Sequence, residues 1–243
     1  MRLYILLLIL LAPAAVKTQP IDYREIFGGD WEKAEQYINA NRDWMEPVLE
    51  NHRIEHRLGL AVIFPELVRY SALRDKMETT LLKALYINLG EEYANFSIGH
   101  FQMKPSFAMH VREHANTVMD REWVTDHPDS SHYGNIKDYR RSVVADLEDP
   151  VREFGYLAAF FSLCETRYNT GEMEEIKKLK FLATAYNCGI NRSSEEIESM
   201  TDGRYFNTKL FKTDNYSYAD VSLFWYNLHK LTTGKDANQE PSR

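Results

Sequence analysis

Apolar positions recur at three- and four-residue spacing along most of this chain, the pattern of helices that bury one face. Trp31–Ile38 and Trp44–Glu55 read as amphipathic helices. His56–Tyr70 is almost wholly apolar from Leu58 to Phe64, which predicts a helix buried on all sides. Thr79–Leu89 carries leucines at helical spacing and ends at Gly90, a residue suited to a helix C-terminus. The polar stretch Asp120–Asn135 (DREWVTDHPDSSHYGN) predicts a long surface loop. A helix then starts at Pro150 behind Asp149, an N-cap followed by proline in the first turn. Glu172–Tyr186 and Tyr218–Leu231 predict two more helices. The sequence shows no alternating strand pattern, repeat or linker. The expectation is one mainly α domain of packed helices over residues 20–235, with 236–243 a flexible tail.

Composition adds a compartment. Residues 1–19 open with Arg2, an apolar run from Leu3 to Leu11 and small residues at Ala12, Ala14 and Ala15, which reads as a secretory signal peptide. The run is short for a bilayer span, so the expected location is periplasmic or secreted, with membrane association through an uncleaved leader as the lesser alternative. The formal charge of −7 gives no basic footprint for nucleic acid. The only cysteines are Cys164 and Cys188; an exported protein allows them to pair, and spacing alone leaves that open.

Three stretches carry candidate chemistry. In SIGHFQMKPSFA (Ser97–Ala108), Ser97 can cap a helix, Gly99 frees the backbone and Pro105 stops an element; alternatively Ser97, Gly99 and Gln102 line a cleft for a ligand rich in hydrogen-bonding groups. In VIFPELVRYS, Glu66 sits among Val62, Ile63, Phe64, Leu67 and Val68. Such company desolvates a carboxyl and raises its pKa, which suits a general acid near neutral pH. Pro65 disturbs the helix beside it. The structural alternative pairs Glu66 with Arg69 or Arg74. In FLATAYNCGINR, Tyr186 and Asn187 stand at a helix end closed by Gly189, placed either to fill a core or to reach into a neighbouring cleft.

The order PEL, SIGHFQMKP, DPVREFGYLAAF and ATAYNCG resembles the lytic transglycosylases of the lysozyme-like superfamily, which includes goose-type lysozyme. The resemblance spans Leu58–Asn191. It implies a lysozyme-like single domain with a saccharide cleft, and cleavage of the β-1,4 bond between N-acetylmuramic acid and N-acetylglucosamine in peptidoglycan glycan strands. Glu66 matches the family's acid/base, Ser97 a cleft residue near it, and Gln102 a residue near the sugar's N-acetyl group. Tyr186 matches the residue that orients Glu66 or the sugar, with Asn187 supporting it. The chain departs from the family pattern at Leu67, where serine is usual, at His100, where an apolar residue is usual, and in a longer Glu66–Ser97 spacing. By resemblance the product is a 1,6-anhydro sugar, with no cofactor or metal, acting as a monomer with glycan as partner and with a cell-envelope protein as a further candidate partner.

Other readings share these residues. Glycoside hydrolysis normally uses two acids flanking the bond, for which Glu91 and Glu92 are the nearest candidates. A saccharide-binding relative without turnover would keep the cleft. Finally, His52-Arg53-Ile54-Glu55-His56 and His110-Val111-Arg112-Glu113-His114 both match H-x-x-E-H, in which two histidines on one helix face hold zinc and the glutamate activates water. Neither match comes with a third ligand, so a zinc hydrolase ranks below the carboxylate readings.

Overall fold

The computed structural model describes residues 21–73, 79–208 and 215–236; the proposed leader, Arg74 and the tail from 237 lie outside the described residues. Eleven α-helices follow one another among those described: α1 (Tyr23–Phe27), α2 (Gly29–Asn51), α3 (His56–Leu73), α4 (Thr80–Leu89), α5 (Pro105–Ala115), α6 (Arg121–Asp126), α7 (Ile136–Glu148), α8 (Pro150–Tyr168), α9 (Glu175–Cys188), α10 (Ser194–Met200) and α11 (Tyr218–Asp236). The described residues form no strand, only isolated bridges at Ile98–Met103 and Phe206–Tyr216. None of their helices is long and apolar enough to cross a membrane.

The apolar run of α3 places it at the centre, packed against α2, α9 and α11. Leu60, Ala61, Val62, Ile63 and Phe64 are all buried. Phe64 lies between Trp31 of α2 and Trp225 of α11, with ring centroids 4.4 Å and 5.3 Å away. Pro65 lies inside α3 without ending it. Proline lacks the N–H that would bond the Ala61 carbonyl, and the adjoining Val62 carbonyl accepts from the Tyr218 hydroxyl of α11 at 2.9 Å. The turn that presents Glu66 is thereby tied to α11.

A second, polar core joins α5, α7 and α8. The buried Arg112 guanidinium donates to Asp146 at 2.7 Å, to the Tyr156 hydroxyl at 2.6 Å and to Ser142 at 2.8 Å; Tyr156 in turn donates to Asp146 at 2.9 Å. A buried pair satisfied on so many sides is costly to break from one side.

Several sequence expectations change. Trp31–Ile38 and the part of Trp44–Glu55 up to Asn51 belong to one helix, α2, which accommodates Pro47; His52–Glu55 lie outside it, and His56 opens α3. Asp120–Asn135 is no simple loop. Asp120 caps α6 by accepting from the Trp123 amide at 2.8 Å, and Trp123 and His127 stack in the interior at 4.3 Å. Pro105 starts α5 rather than stopping an element. Ser97 is not a helix cap, since Lys104 holds the position before α5. Helix α11 runs to Asp236, beyond Leu231. Cys164 is buried, Cys188 half-buried, and both are free thiols.

Because Phe64 bridges α2, α3 and α11, Phe64→Ala should lower stability by about 3–5 kcal/mol, a cost set by the apolar area lost and the cavity left. Urea unfolding followed by tryptophan fluorescence measures it, and a loss under about 1 kcal/mol would show that the core closes around the gap.

Candidate active site

The loop between α4 and α5 builds one wall of a cleft. Ile98 and Met103 exchange both backbone hydrogen bonds, at 2.9 Å and 3.1 Å, and so close a tight loop through Gly99, His100, Phe101 and Gln102. Two of these residues have left-handed backbones, Gly99 at φ 77° and Gln102 at φ 53°. At Gly99 the reason is close approach as well as conformation: a Cβ there would overlap the Glu153 carboxyl. Glutamine has no such licence, and a left-handed glutamine costs about 1–2 kcal/mol. Strain of this kind persists where surrounding contacts over-determine it. Here the Gln102 side-chain NH2 donates to the Gly99 carbonyl at 2.9 Å. That bond fixes the amide's orientation and leaves Oε1 as the end able to accept from a ligand N–H.

Glu153, three residues into α8, is the support of this loop. Its two carboxyl oxygens accept from the His100 amide at 2.9 Å and the Phe101 amide at 3.0 Å, and the residue has no solvent exposure. Burial pushes its carboxyl well above the usual carboxylate range, the loop amides oppose that shift, and the negative charge of Glu66 adds to it. His100, the position where an apolar residue was expected by resemblance, lies between the rings of Tyr37 and Tyr70, at 4.7 Å and 4.4 Å. The loop is thus held from beneath by a carboxyl and from the side by two aromatic rings.

Glu66 stands across from this wall. A cavity of about 280 Å³ is lined by Glu66 and Arg69 of α3, by Asn95, Ser97, Gln102 and Lys104, by Ser106, Phe107 and His110 of α5, and by Tyr186 through Asn191. Glu66, Ser97, Gln102, Tyr186 and Asn187 therefore meet on one cavity. Gly99 does not line it. Its close approach is to Glu153, so its part is to shape the loop rather than to touch a ligand.

Glu66 is 3% exposed. Arg69, one turn further along α3, reaches both of its oxygens with a single nitrogen, Nη1, at 2.8 Å each. Both the desolvated acid and the pairing with Arg69 foreseen from sequence are thus present in one residue. Burial raises the Glu66 carboxyl above its ordinary value, while Arg69 and the more distant Lys104 pull the other way. Tyr186 does not bond Glu66. Its hydroxyl donates to the Phe101 carbonyl at 3.0 Å, which ties α9 to the loop, so its orienting effect runs through the cleft wall.

The remaining candidates fall elsewhere. Glu91 and Glu92 are exposed, and Glu91 lines a separate recess with Glu113 and Arg140. His52 and His56 straddle the break between α2 and α3, so that H-x-x-E-H does not share a helix face. His110 and His114 do share α5, with rings 4.1 Å apart. Among the described residues no three His, Cys, Asp or Glu side chains gather as a metal set would. Glu153 and the part Lys104 plays in the cavity were not singled out from sequence. Glu153 lies in the first turn of α8, where an acidic residue reads as a partner of the helix dipole; its apolar neighbours Phe154 and Leu157 were the available signal.

If Glu153 holds the loop, Glu153→Gln should present an NH2 to one of the two amides it now accepts from, costing about 1–3 kcal/mol of stability. Hydrogen exchange at the His100 and Phe101 amides should then accelerate more than exchange in α3, and equal protection in both proteins would remove Glu153 from this role.

Comparison of the chain with protein families, with curated proteins and with solved structures finds no match.

Proposed function

We propose that the protein is a lysozyme-like enzyme of the cell envelope that cleaves peptidoglycan glycan strands, with Glu66 as general acid and then general base. The observation that carries this reading is the meeting of Glu66, Ser97, Gln102, Tyr186 and Asn187 on one cavity, from three distant stretches of chain, with burial raising the Glu66 carboxyl above its ordinary value. A protonated Glu66 donates to the glycosidic oxygen as the bond to the anomeric carbon breaks. The cavity offers its acceptor, Gln102 Oε1, where an acetamido N–H can bind, which holds the acetamido carbonyl oxygen toward the anomeric carbon.

The number of carboxylates favours an intramolecular course. Glu66 is the only acidic residue among the described residues lining the cavity. Glu153 stands behind the loop with both oxygens engaged by amides, and Glu91 and Glu92 face elsewhere. Hydrolysis by two flanking acids therefore lacks its second member here. With one carboxyl, the acetamido oxygen attacks the anomeric carbon as the leaving sugar takes the Glu66 proton. The resulting Glu66 carboxylate then removes the proton of the C6 hydroxyl, whose oxygen displaces the acetamido group and closes a 1,6-anhydro ring. The second step is intramolecular and benefits from high effective molarity.

Glu66→Gln should keep the fold and lower glycan cleavage by about a hundredfold or more, the scale of general acid–base catalysis. Mass spectrometry of sacculus digests should show ends one water lighter than reducing ends. Reducing ends throughout would replace the anhydro route with hydrolysis, and an equally active Glu66→Gln would end the assignment of the acid.

A further inference from the structure

The cavity has an electrostatic character that the chain as a whole lacks. The formal charge is −7, yet the cavity wall carries two permanent cations, Arg69 and Lys104, against the one carboxyl of Glu66. In an acidic protein, cations gathered on a cleft are the complement of an anionic ligand.

Arg69 is the more telling of the two. Its guanidinium lies over the Phe206 ring at 4.6 Å, and its Nε donates to the Asn207 carbonyl at 3.3 Å. The planar group is thereby braced at the cavity edge, 21% exposed, rather than loose in solvent. Its grip on Glu66 uses one nitrogen for both oxygens. A fork–fork pair, with two nitrogens to two oxygens, is the stronger arrangement open to arginine and carboxylate. A carboxylate entering the cavity can therefore compete for this guanidinium. Lys104 is exposed at the same cavity and supplies a second positive charge.

We propose that Arg69 and Lys104 form a subsite for a carboxylate carried by the glycan, and that Arg69 exchanges Glu66 for that carboxylate when substrate binds. The proposal rests on the reading of Glu66 as the acid. Its chemical consequence follows from the groups around Glu66. From its own helix Glu66 faces Arg69; from the loop before α5, Lys104; from α8, Glu153; from α9 and α11, the hydroxyls of Tyr186 and Tyr218. Among these, Arg69 is the direct ion-pair partner. Once Arg69 turns to the substrate, the balance tips toward burial, which favours a protonated Glu66. The acid would thus be charged with its proton when a carboxylate-bearing sugar is in place, and a neutral glycan of the same backbone would leave Arg69 on Glu66. Arg69 acts here as a specificity and positioning residue, not as a proton donor.

The test uses peptide-free glycan strands whose muramic carboxylates are either free or converted to methylamides, with binding followed by calorimetry and cleavage by product analysis. Wild type should prefer the free carboxylate in kcat/KM by about tenfold or more, the scale of one charge-assisted hydrogen bond. Arg69→Gln should lose the preference. Its residual activity should also persist to higher pH: removing a cation raises the Glu66 pKa, so the protonated acid survives further up the pH scale. Lys104→Gln, on an exposed side chain remote from the core, should reduce the preference by about threefold and serves if Arg69→Gln does not fold. Cleavage by wild type without preference, or a preference kept by both variants, would overturn the subsite while leaving the proposed function standing. Binding that discriminates through Arg69 with no cleavage of either strand would support the subsite and overturn both the proposed function and the activation of Glu66.

Discussion

The cleft depends on one buried carboxyl. Glu153 accepts two loop amides from beneath the turn that Ile98 and Met103 close, and glycine is pressed against that carboxyl while glutamine takes a left-handed conformation. Without Glu153 two amide N–H groups would point into a dry interior, a cost comparable to two lost hydrogen bonds. With it, Ser97 and Gln102 are fixed opposite Glu66, and the Phe101 carbonyl is placed to receive Tyr186.

Two acids in one region then share a problem and resolve it differently. Glu153 is shielded from solvent and held by neutral amide dipoles; Glu66 borders the cavity and is held by a full positive charge. Burial moves both carboxyls upward, and the charge of Glu66 adds to the shift at Glu153. The difference lies in what can leave. The amides that hold Glu153 belong to the backbone of a closed loop. The guanidinium that holds Glu66 belongs to a side chain at a cavity edge, and side chains can change partner. A structural acid and a chemical acid are thus separated by the mobility of their counter-groups, not by burial.

Much of this was legible in the sequence. The apolar run of α3, the Asp149–Pro150 helix start and the Gly90 stop follow local rules, and the structure has each of them. Glu66, Ser97, Gln102, Tyr186 and Asn187 stood out because polar residues in apolar or glycine-marked settings violate local expectation. What escaped was in part local and in part non-local. The break between α2 and α3 was misplaced because the helical pattern continues through Trp44–Glu55, whereas the structure leaves His52–Glu55 outside both helices. Helix α7 was missed although Tyr139, Val143, Val144 and Leu147 share one face and Asn135 caps it. Glu153 could be read as an ordinary first-turn acid until its partners, more than fifty residues away in sequence, were in view.

The bond from Tyr218 to the Val62 carbonyl joins positions 156 residues apart. It has a consequence for when the site comes into being. Helix α3 can form locally as soon as its own residues are available, but it is surrounded only after α11 has docked. Until then Glu66 is solvated, Phe206 and Asn207 are not yet held under Arg69, and the carboxyl behaves as an ordinary surface glutamate. The unusual acidity of this residue is therefore a property of the finished tertiary structure. An incomplete or partly unfolded chain carries every residue of the cleft and none of its chemistry.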